Sequence, residues 1–204
     1  MPWIFGTLIG AFGLGVVLAL LAGHLPIPSG LIGVALMLAA ALAVRRRWGL
    51  LAEAAPGTPE RQLWISLAGN AVVGAHLLTT LIHIGPRLLM HTPKVHALGI
   101  DSWTLVGGAV LAYWIAREPR PRRDERDIHI AMHGLRVGHY ALVAVLIAQI
   151  LALGFVHEGW VGQLSHPSIA HGLILTLIVS VLVDAFERLR LYARDAADAG
   201  EDAV

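Results

Sequence analysis

His76 stands in an apolar stretch, residues 64–84, that is long enough to cross a bilayer, with Asn70, Thr79 and Thr80 beside it. Ionisable groups at membrane depth are expensive and mark functional sites by default. An imidazole there has three uses: carrying a proton, ligating a metal, or bonding across helices as a neutral ring. Asn70, His76 and Asp101 are the polar residues expected inside the apolar layer. Near one edge of that layer, His83 and His171 with Asp101 would make a mixed nitrogen and oxygen site suited to a divalent metal. Haem is disfavoured, because it needs two axial histidines from facing helices at one depth; no other stretch matches His76, although His83 with His171 could match near the outer edge.

The remaining histidines are less specific. Of eleven in the chain, His24, His83, His91, His96, His157, His166 and His171 fall between or at the ends of apolar stretches on one common side. That distribution suits a metal-capturing or pH-sensing face, and equally a set of interfacial histidines with no ligand. "HIAMH" (129–133) places two histidines on one helical face but lacks the glutamate of zinc proteases and the further histidine boxes of a di-iron oxygenase. No G-x-S-x-G, Walker loop or dinucleotide fingerprint is present, so nothing indicates an enzyme. The absence of cysteine excludes disulfides, thiolate zinc sites and a cysteine nucleophile.

These residues must be positioned by membrane helices. Apolar residues make up 56% of the chain and charged ones only 14%, against roughly a quarter in soluble domains. A net charge of +1 offers no basic field for nucleic acid. Six spans are expected, at residues 3–22, 26–44, 64–84, 97–116, 137–156 and 168–184. The first lacks the basic n-region of a secretory signal and is read as a membrane helix. Of fifteen Lys and Arg, only Arg87 and Lys94 fall in odd-numbered gaps; the other thirteen lie in even-numbered gaps and the tail. The positive-inside rule then places both termini in the cytoplasm of a bacterial inner membrane.

The densest charge, "REPRPRRDERD" (117–127), holds five arginines and four carboxylates. Its arginines anchor topology and attract anionic inner-leaflet lipid. Its carboxylates, Asp124 and Glu125, suit the first turn of the next helix, where the macrodipole favours negative charge. Asp124, Glu125, Arg126, Asp127 and Arg136, with Asp184 and Arg188 spaced i, i+4, are expected to form an interfacial charge network.

An internal comparison adds a tandem repeat. At an offset of 65, Glu60, Arg61, Ile65 and Gly69 fall on Glu125, Arg126, Ile130 and Gly134, and Gly107 falls on Gly172. The expected fold is an all-α integral membrane bundle: an N-terminal hairpin (1–50), two similarly oriented repeat hairpins (51–118 and 119–194) and a frayed acidic tail (195–204). Gly6 and Gly10 form a G-x-x-x-G, read as packing within the bundle in preference to dimerisation.

"DERDIHIAMHGLRVGHYALV" resembles the signature of an uncharacterised bacterial family of small polytopic membrane proteins. The family pattern is DERD, an apolar residue at the third position after it and an arginine leading into a span; Asp124–Asp127, Ile130 and Arg136 fit it. "ERLRLYARD", with Tyr192 and Arg194, is similar to the basic, tyrosine-centred end of the family's last helix. The likeness covers roughly residues 60–194 and departs at 59–62, where PERQ replaces DERD, and in the additional N-terminal hairpin. It implies a fold and no reaction. Two functions are therefore expected. One is a non-enzymatic accessory, sensor or assembly protein whose charged surface meets a protein partner, a second copy or lipid. The other is a small transporter for a metal ion, protons or a small solute, using the intramembrane and outer-face His and Asp residues.

Overall fold

A computed structural model describes residues 2–22, 24–50, 58–85, 92–117, 124–155, 159 and 161–201. Six α-helices account for nearly all of them: α1 Pro2–Leu21, α2 Ser29–Leu50, α3 Thr58–Ile84, α4 Pro93–Ala116, α5 Glu125–Phe155 and α6 His166–Glu201. A short 3-10 turn, Val161–Gln163, precedes α6, and no strand occurs among the described residues. Over the described residues, five of the helices are long and apolar enough to cross a membrane. α4 carries Asp101, Ser102 and Thr104 within a single turn, with Asp101 and Ser102 buried inside the bundle.

The helices sort into a centre and a periphery. α3 packs against α1, α4 and α6, while α2 leans on α4 and α5 leans on α6. As the central element, α3 buries every residue from Ala71 to Leu77. The main apolar cluster joins Leu18 of α1, Met37 of α2, Val72 and Val73 of α3, Leu105 of α4 and Ile178 of α6. A second cluster, Ile4, Leu67, Ala185 and Leu189, closes the end where α1, α3 and α6 meet. Large apolar side chains cover the outside instead of polar ones, among them Trp3, Ile82, Trp103 and Phe155. Such a continuous apolar exterior suits a hydrocarbon solvent and not water.

Small residues set the closest approaches. A Cβ on Gly15 would collide with the backbone of Val72 and with Ala75, so α1 reaches α3 there. Gly6, Gly10 and Gly13 have no neighbour within 4 Å, which corrects the expectation that Gly6 and Gly10 pack inside the bundle. Gly134 and Gly138 let α5 lie against Asp184, Arg188 and the Ser180 carbonyl of α6. Polar bonds reinforce that pair: Ser180 Oγ donates to the Gly138 carbonyl (2.9 Å) and Gln149 Nε2 to Thr176 Oγ1 (2.6 Å). Interhelical hydrogen bonds of this kind hold helices together where burial gains nothing over lipid.

The repeated glycines do not share neighbours. Gly69 meets Ala109, whose counterpart at the repeat offset is Ile174, whereas Gly134 meets Asp184 and Arg188. The expected frayed tail is also helical as far as it is described, since α6 continues through Glu201.

Candidate functional site

At one end of the bundle, α5 begins with a reciprocal cap. The backbone N–H of Asp127 donates to Asp124 Oδ1 (2.7 Å), and the N–H of Asp124 donates to Asp127 Oδ2 (3.3 Å). This is the geometry of a capping box, with Asp in both positions. The other carboxylate oxygen of Asp127 accepts from the Tyr192 hydroxyl at 2.7 Å. Arg126 Nε donates to Asp195 (2.7 Å), and its guanidinium lies 5.8 Å from the centre of the Tyr192 ring. Burial, followed by the bond to Asp127, pushes the Tyr192 hydroxyl above its ordinary pKa, so it stays a donor. The two motifs that stood out separately in the sequence, DERD and the tyrosine-centred tail, therefore interlock.

Two further clusters extend this charged end. Arg188 Nε donates to Asp184 Oδ1 at 2.7 Å, as the i, i+4 spacing predicts. Glu187 accepts from Arg190 Nε and Nη2 (2.8 and 2.7 Å) and lies 3.3 Å from His133 Nε2. The paired Arg190 holds the Glu187 carboxyl below the usual carboxylate range. Glu125 and Arg136, also expected in the network, are exposed and stand outside these pairs. Asp195, Glu187 and Arg190 were not anticipated. Continuing the helical period of α6 past 194 places 184, 188, 192 and 195 on one face, and that period was the available signal.

Deeper in the bundle, the expected trio of Asn70, His76 and Asp101 separates into three arrangements. Asp101, on α4, accepts from Ser29 Oγ (2.8 Å) and from the Gly30 N–H (3.2 Å), so it caps the start of α2 from a different helix. Gly30 permits the approach, since a Cβ there would lie 2.7 Å from the Asp101 carbonyl oxygen. Asn70 bonds within α3, donating to the Ser66 carbonyl at 2.8 Å. His76 is fully buried, with Nδ1 3.2 Å from Ser102 Oγ. Among the described residues, its Nε2 and the buried Thr80 Oγ1, one turn further along α3, have no hydrogen-bond partner.

Three hollows follow α4 along the bundle. The central one, about 410 Å³, lies between α3, α4 and α6 and is mostly apolar, with Ser66, Asn70, Ser102, Tyr113 and His171 as its polar lining. A pocket of about 170 Å³ at the charged end is lined by Asp127, Asp184, Arg188 and Tyr192 and shares Ser66 and Tyr113 with the central hollow. A shallow depression of about 530 Å³ at the other end, beside His96, shares Gly99 and Trp103 with it.

The metal expected at His83 and His171 finds no assembled ligand set. His83 lines a separate cavity with His24, Thr79 and Thr80. His171 faces the central hollow, and its Nδ1 donates to the Pro167 carbonyl at 2.7 Å, leaving Nε2 as an acceptor. Asp101 is engaged at α2. Among the described residues, no group of three or more His, Asp or Glu side chains could hold a metal ion. His91 and His157 lie outside the described residues. No family model, curated protein or solved structure matches the chain.

Proposed function

We propose that this protein is a six-span bacterial inner-membrane transporter that moves a small solute along the face where α3, α4 and α6 meet. The observation that carries the reading is a series of three hollows that share lining residues, Ser66 and Tyr113 on one side and Gly99 and Trp103 on the other. α4 serves as the sixth span in this reading: 24 residues reach roughly 36 Å as a helix, and its costly polar groups face protein and not lipid. The charged end lies in the cytoplasm, where the exposed Arg46 and Arg47 of α2 meet anionic lipid.

The lining defines the solute class. Long apolar walls with a few hydroxyl, amide and imidazole groups favour a small molecule that is partly apolar and hydrogen-bonding, over a bare ion that needs a full ligand shell. The series of pockets also ranks this reading above the accessory or docking one. Arg126 pairs with Asp195, Asp127 with Tyr192 and Asp184 with Arg188, all within the chain, so the DERD end works first as a latch between α5 and α6.

Uptake of a panel of neutral alcohols, amines and weak organic acids into proteoliposomes tests the proposal. Ser66→Phe, which fills the junction of two hollows, should abolish flux that the wild type supports while leaving the thermal midpoint nearly unchanged. No flux with any panel member would reject transport of this class. Partners captured on the wild type and lost after neutralising Asp124, Glu125 and Arg126 would restore the docking reading.

A further inference from the structure

Among the described residues, two buried polar atoms on α3 have no partner, and a cavity lies beside one of them, on Thr80. His76 is 0% exposed with Nε2 unbonded, and Thr80 is 6% exposed with Oγ1 unbonded. They are i and i+4 on one helix, so their side chains stand one above the other. An orphaned buried polar group is costly, and proteins remove that cost with an ordered water where space allows. Thr80 also lines a cavity of about 50 Å³ with Thr79, His83, His24 and the end of α1. That volume exceeds what one water needs.

From this arrangement we infer a hydrated proton-binding site, entered from the histidine end, in which His76 is the proton acceptor and Thr80 holds the water that reaches it. Water enters beside His24 and His83, bridges Thr80 Oγ1 and His76 Nε2, and delivers a proton to the imidazole. The proton adds to the Nε2 ring nitrogen, so neutral His76 becomes imidazolium; deprotonation returns the same proton to the water, while Nδ1 keeps its contact with Ser102 Oγ. Ser102 also lines the central hollow, so the site connects with the solute route.

The surrounding charges are few. α1 carries no titratable side chain at all. α4 contributes Asp101, which caps α2 and is next in the chain to the Ser102 that contacts His76. α3 contributes His83, two turns away, the connection after α1 contributes His24, and α6 contributes His171 across the central hollow. α2 presents only its capped N-terminus, Ser29 and Gly30. Asp101 is thus the group that compensates a charged His76, and the rest of the wall is apolar.

The inference rests on the transport reading for its purpose, as a proton input to solute movement, but its test needs no solute. Histidine-labelled full-length protein in lipid vesicles is examined by solid-state NMR from about pH 8 to about pH 5, the range over which imidazole changes charge. The His76 resonances are assigned by their loss in His76→Gln. They should show contact with water and move from neutral to imidazolium positions across the titration. Thr80→Val, nearly isosteric, should remove the water contact. A single neutral tautomer without water contact throughout, in correctly folded wild-type protein, would overturn the site. A wet, titrating His76 in a protein that moves no solute would instead overturn the transport reading alone.

Discussion

Asp101 shows how a carboxylate can be carried inside a membrane bundle. Burying a charge is severe unless it is paired and hydrogen-bonded. Here the hydroxyl of Ser29, the Gly30 N–H and the positive end of the α2 dipole supply the compensation. Asp101→Ala should therefore destabilise the bundle by about 1–2 kcal/mol, the usual scale of a lost helix cap. It should read as a lowered thermal midpoint in detergent, with Asp101→Asn intermediate and Ser29→Ala smaller. An unchanged midpoint for Asp101→Ala would remove the capping role. In the sequence Asp101 looked like a metal or transport ligand, because its acceptor role depends on a helix start 72 residues away in the chain.

At the scale of elements, the packing runs through a few glycines whose neighbours decide their meaning. Gly15→Leu should push α1 away from α3 and cost about 1–3 kcal/mol or more, as overpacking does. Gly10→Leu meets nothing within the chain and should shift stability by less than about 0.5 kcal/mol. Thermal unfolding of the two variants side by side checks the contrast, and equal effects would contradict it. Both glycines sit in one small-residue run of α1, and a linear pattern does not show which side of a helix meets α3. The DERD end was more legible. Its cap and the Asp184–Arg188 pair are local, with partners three or four residues apart. The bonds from Arg126 to Asp195 and from Asp127 to Tyr192 were not, because they span 69 and 65 residues between two helices.

For the whole molecule, orientation is the property on which both functional readings depend. Because the chain has no cysteine, single cysteines report position without background. In spheroplasts, a membrane-impermeant maleimide should label His24→Cys directly and Asp198→Cys only after lysis. The reverse pattern would place the cavity beside His24 and His83 in the cytoplasm and the DERD end outside.

Composition and charge segregation alone determined that the chain is helical and apolar enough for a membrane. Those properties are sums over neighbouring residues, and hydropathy and helical period act locally. Only the tertiary structure decided that α3 is the centre, that α5 touches the bundle through α6, and that Asn70, His76 and Asp101 serve three separate purposes. It also decided that three hollows share lining residues on α4. Each of these depends on which helix faces which. In a bundle where most faces are apolar, that choice is made by a few close approaches and buried hydrogen bonds, which no periodicity within a single helix encodes.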